Sequence, residues 1–128
     1  MLKILFLIAA LFWTGVILFF CLIKASSLPV VDVPNLDKII HVFFHFVFTI
    51  LWFLFLKKKL DHANVFALFT ITVILSFLLG IGIELAQQFF TSTRQGDILD
   101  IAANLFGALL AVASLVVLNK VTGIVNKI

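Results

Sequence analysis

Asp37, His41 and His45 recur at a spacing of four in the stretch LDKIIHVFFHF. An α-helix turns about 100° per residue, so the three drift only about 80° around it and share one face. A carboxylate one turn before an imidazole can orient a general base, help hold a metal, or anchor a buried polar network. Two further sets repeat the theme. ELAQQ carries Glu84, Gln87 and Gln88, which at i, i+3 and i+4 span about 100° of arc. RQGDILDIAANLFG carries Asp97, Asp100 and Asn104, which at i, i+3 and i+7 span about 60°. Lys38 and Arg94 are the cations beside these sets. Both suit an acid partner, or a phosphate or carboxylate on a ligand.

The surroundings make such residues costly. Of 128 residues, 64% are hydrophobic and 12% charged, where a soluble domain has about half and about a quarter. That is a membrane protein's composition, and its length suits one unit of a few helices. A polar side chain facing lipid leaves its nitrogens or oxygens unsatisfied, so His41 and His45 should face the interior of the bundle. A lone cysteine, Cys21, rules out an internal disulfide framework. The net charge of +3 comes with no basic cluster interleaved with aromatics, so nucleic acid is not an expected partner. Sixteen phenylalanines serve as packing or lipid-facing residues, while Trp13 and Trp52 are too isolated to form a stacking platform.

The elements that must position these residues follow from the apolar runs. The sequence predicts an all-α integral membrane protein, a single domain over 1–128 with transmembrane helices at about 4–23, 37–56, 64–90 and 97–118. The first run exceeds the roughly 7–15 apolar residues of a signal peptide and reads as a retained helix. Asn35 and Asp97 are the expected N-caps, with Asp100 at N3 resembling the second half of a capping box in which Asp replaces Glu. Ala103, Gly107 and Ala111, and also Ser76 and Gly80, form small-residue stripes that should pack the third and fourth helices together. Lys3, Lys57, Lys58, Lys59, Lys120 and Lys127 outnumber Lys24, Lys38 and Arg94 on the opposite side. The positive-inside rule then predicts an up-down bundle with both termini cytoplasmic. Asp37, Glu84 and Asp97 thereby converge at the outer face.

The blocks DKIIH, GIELAQ and RQGDILDIAANLFG resemble the VanZ-like family of small bacterial membrane proteins. Asp37, Lys38 and His41 match the first block, Glu84 and Gln87 the second, and Arg94, Asp97, Asp100, Asn104 and Gly107 the third. Ser26–Ser27 after the first helix is a further shared feature, whereas His45 stands where an aromatic residue is expected. The resemblance implies a four-helix, multi-pass protein of the bacterial cytoplasmic membrane. The family's namesake is linked to resistance against teicoplanin-type glycopeptides.

Two functional readings compete. The favoured one is an outer-leaflet pocket of Asp37, Lys38, His41, Glu84, Gln87, Arg94, Asp97, Asp100 and Asn104. It would bind membrane lipids, a lipid-linked cell-wall precursor or a lipoglycopeptide. The alternative is an intramembrane hydrolase or transferase using Asp37, His41, Glu84 and Asp100 on a lipid-linked substrate. No hydroxyl or thiol nucleophile stands in a recognisable motif, which weighs against covalent catalysis. His41, His45, Glu84 and Asp100 are eligible metal ligands, but their spacing is no known ligand motif. No cofactor is therefore expected. Assembly as a homo-oligomer stays open. A purely structural polar network is the third reading, and a transporter the least supported.

Overall fold

The computed structural model describes residues 1–23, 27 and 29–128. Lys24, counted among the outer charges, and Ser26, of the Ser26–Ser27 feature, lie outside the described residues. The chain forms α1 (Leu2–Leu22), α2 (Leu36–Lys59), α3 (Val65–Phe90), α4 (Ile98–Thr122) and a short α5 (Ile124–Lys127). Four of these helices are long and apolar enough to cross a membrane, and no strand occurs among the described residues. The protein is all-helical and multi-pass. At about 1.5 Å per residue, the 21 residues of α1 match a hydrocarbon core of about 30 Å. The 26 residues of α3 overshoot it and must tilt or emerge.

The helix ends refine the predicted boundaries. α2 continues through Lys57, Lys58 and Lys59 instead of stopping at 56. Ammonium groups in a last turn complement the partial negative charge of the terminal carbonyls, so the lysines extend the helix. α4 likewise passes 118 and runs to Thr122, because Asn119 and Lys120 are polar without breaking a helix. It stops at Gly123, whose φ of 66° supplies the left-handed turn that glycine adopts without steric cost. Asn64 and Asp97 cap α3 and α4 by accepting the N–H of Phe66 and of Leu99, each at 2.8 Å. Asn35 does not act as the expected cap. It is itself left-handed (φ 56°) and its side chain makes no capping bond.

α2 is the central element. It packs against α1, α3 and α4, most extensively against α4, while α1 and α4 share no packed surface among the described residues. One apolar cluster joins Ile17 and Cys21 of α1 to Phe44 and Phe48 of α2 and Ile83 of α3. A second, at the other end, joins Phe53 to Leu68, Phe69, Leu115 and Val125. The α1–α2 seam is also hydrogen-bonded: Trp13 Nε1 donates to the Phe44 carbonyl at 3.0 Å and Trp52 Nε1 to Thr14 Oγ1 at 3.3 Å.

The small-residue stripes divide between two seams, not one as predicted. Gly80 of α3 does face α4, where an added Cβ would lie 2.7 Å from Asn104 Nδ2. Gly107 of α4 instead seats directly on the backbone of Val42 in α2. Without a hydrophobic force between helices in lipid, close backbone approach is what holds such a pair, and the α2–α4 approach is the tighter.

Candidate functional site

The end of α1, the first turns of α2, the last turns of α3 and the start of α4 meet at one end of the bundle. Lys38 is the hub of the shallow layer. Its Nζ donates to Asp37 Oδ2 and Asp97 Oδ2, both at 2.7 Å, and stands in ion-pair contact with Asp100 Oδ1 at 2.5 Å. Asp100 Oδ1 has no partner among the described residues beyond this ion pair. Asp97, outside the spans, has its carboxyl held below the usual range by the Lys38 bond and by the Leu99 N–H.

One turn deeper the side chains are buried. His41 is 5% exposed, Glu84 4%, Asp100 8% and Asn104 0%, so every polar atom here needs a protein partner or a ligand. His41 Nδ1 bonds Asn104 Oδ1 at 2.9 Å. A carbonyl oxygen only accepts, so Nδ1 carries the hydrogen and Nε2 presents its lone pair. Nε2 lies 3.5 Å from Asp100 Oδ2. Glu84 Oε2 accepts the backbone N–H of Asp97 at 2.7 Å, and Oε1 has no hydrogen-bond partner among the described residues.

That last pairing corrects the capping box. The N–H of Asp97, which Asp100 would cap in a local motif, is taken by Glu84 from α3. Asp100 is released to face Lys38 and His41. The connecting turn is drawn close to make this bond. A Cβ on Gly96 would stand 2.9 Å from the Glu84 carbonyl oxygen, and the Gly96 N–H is accepted by Gln88 Oε1 at 3.1 Å.

The remaining residues of the expected set lie apart from this core. Gln87 Nε2 donates to the Cys21 carbonyl at 2.8 Å. Arg94 donates from Nε to Ile23 O at 3.2 Å and from Nη2 to Phe20 O at 3.3 Å. Both satisfy the carbonyls left open at the end of α1. Sequence reasoning missed this task. The available signal was the run CLI, an apolar helix end that carries no glycine. His45 belongs to another pair, bonding Ser76 Oγ through Nδ1 at 2.7 Å. Of the four eligible metal ligands, His41, Glu84 and Asp100 each bring one ligand atom within 4.8 Å of the others, and His45 is not among them.

Beside this core, α1 and α2 frame a groove of about 540 Å³. Phe20, Ile39, Ile40, Phe43 and Phe44 supply apolar walls, and Asp37, His41 and Arg94 polar ones. No family model, curated protein or solved structure matches this chain. The VanZ-like resemblance therefore rests on its three motif blocks. What the geometry offers chemically is an apolar trough beside a buried imidazole–carboxylate group and a lysine-centred ion cluster.

Proposed function

We propose that this is a VanZ-like protein of a bacterial cytoplasmic membrane that binds an amphipathic or lipid-linked envelope molecule. In this reading both termini are cytoplasmic in an up-down bundle and the polar cluster faces the outer leaflet, which the lysine distribution supports. The observation that carries the reading is the groove, whose lining pairs an acyl-compatible phenylalanine and isoleucine wall with Asp37, His41 and Arg94. Ligand sites commonly combine such apolar walls with a few convergent polar groups. Arg94 spends two donors on α1 carbonyls, and a guanidinium carries five. The others suit a phosphate or carboxylate headgroup. A contribution to glycopeptide resistance would follow from capture of an acylated drug or of its lipid-linked target.

The test is lipid analysis of protein purified in mild detergent, followed by competition with a lipid-linked cell-wall precursor and with a lipoglycopeptide. The expected result is a co-purifying amphiphile that either competitor displaces. It should be lost when Phe43 and Ile40 are replaced by alanine, and weakened in Arg94→Ala. Binding that is undiminished by alanine at Asp37, Glu84, Arg94 and Asp100 overturns the reading.

A further inference from the structure

We propose that His41, Glu84 and Asp100 form a binding site for a divalent transition-metal ion of the zinc or manganese type. Four features meet at these three side chains. First, Glu84 is 4% exposed and its Oε1, the oxygen not used by Asp97, has no hydrogen-bond partner among the described residues. A buried ionised oxygen without a partner is a costly arrangement unless a cation or proton satisfies it.

Second, the imidazole is set up as a ligand. Asn104 accepts from Nδ1, which turns the lone pair of Nε2 toward the carboxylates. Metal-bound histidines are oriented by this kind of outer hydrogen bond.

Third, the spacing suits coligands better than a direct bond. His41 Nε2 and Asp100 Oδ2 are 3.5 Å apart, whereas an N–H···O bond is about 2.9 Å long. Two ligands each about 2.1 Å from a tetrahedral ion stand roughly 3.4 Å from one another. One ligand atom from each of the three residues falls within 4.8 Å of the rest, so Glu84 closes the set with a small side-chain adjustment.

Fourth, the local charge is unbalanced. Asp37, Asp97 and Asp100 already share the single ammonium of Lys38, and Arg94 is turned to α1. Glu84 has no cation of its own among the described residues.

Two carboxylates and an imidazole are a mixed oxygen–nitrogen set, which favours zinc or manganese over calcium. Asp100 joins the layers, with Oδ1 on Lys38 and Oδ2 beside the ion. His45, the other buried histidine nearby, is not part of this set of ligand atoms within 4.8 Å of one another. The site does not depend on the amphipathic-ligand reading, because the ion can be measured in protein stripped of lipid.

The experiment is calorimetric titration of chelator-treated, detergent-purified protein with ZnCl2 and with MnCl2, with Tm followed in parallel. One ion per chain and a Tm raised by several degrees are expected for at least one metal. Glu84→Gln and Asp100→Asn should lose the binding, and Asn104→Ala should weaken it about 10–100-fold. His62→Ala, at an exposed histidine between α2 and α3, should leave it unchanged. Cobalt substitution gives a separate reading, through visible bands that shift in His41→Gln. Wild-type protein that takes up neither metal and shows no Tm shift overturns the proposal, whatever the variants do. So does uptake that survives both Glu84→Gln and Asp100→Asn, whatever His62→Ala does.

Discussion

Lys38 carries more of the site than any other single side chain, because Asp37 and Asp100 on two helices and the N-cap Asp97 share its ammonium. Removing one partner from a desolvated ion cluster costs about 3–5 kcal/mol, and exposed pairs cost far less. Lys38 is 23% exposed and falls between these limits. Lys38→Met should therefore lower stability by about 1–3 kcal/mol, while Lys38→Arg keeps most of it. Thermal unfolding in detergent reads both. The Asp97 carboxyl, held low by Lys38 and the Leu99 N–H, gives the sign of one pH effect. A depressed carboxyl contributes stability that is full above its unfolded value, about 3.9, and is lost as pH falls through the lower folded value. Unfolding temperatures recorded from pH 5 downward should fall in the wild type, and should fall less steeply in Asp97→Asn.

At the scale of elements, the α2–α4 seam is set by Gly107. The backbone of Val42 occupies the space where any side chain at 107 would begin. Backbone cannot rotate aside as a side chain can, so Gly107→Ala must separate the helices. It should cost about 1–3 kcal/mol, as overpacking of a filled interior does. Gly15→Ala and Gly82→Ala meet nothing within 4 Å. They should be neutral or slightly stabilising, since alanine favours a helix over glycine by about 1 kcal/mol. Chemical or thermal denaturation of the three variants in one detergent checks the contrast. A fault at Gly107 would also pull Asn104, one turn away on α4, from His41.

For the whole molecule, the lysine-rich end of α2 and the carboxylate-rich start of α4 belong to opposite ends of the bundle, and the proposed orientation with cytoplasmic termini can be tested on that asymmetry. A fluorescent-protein fusion at the C-terminus should glow, and an alkaline phosphatase fusion there should be inactive. Replacing Lys57, Lys58 and Lys59 with glutamine should weaken that bias. The four spans were legible because twenty-odd apolar residues have few other uses, and Asp37, Glu84, Asp97 and Asp100 were legible as costly residues that had to meet. What the sequence hid was the division of labour among them. Gln87 looks like a pocket residue until the open carbonyls of α1 are located, Arg94 braces α1 as well as lining the groove, and Asp100 looks like a local cap until Glu84 takes that bond. His45 and Ser76 are 31 positions apart, and no periodicity within one helix reveals a pair between two. Helix-face rules report which residues point the same way, not which neighbour they find.

The two tryptophans bear on how this protein can be watched. The chain has no tyrosine, so its intrinsic fluorescence comes from Trp13 and Trp52. Both indoles bond across the single seam between α1 and α2. Emission is therefore a local gauge of whether α1 remains docked. If α1 peels away first, the optical transition will precede the loss of helical circular dichroism, and the gap between the two curves will measure how loosely the first span is tied to the other three.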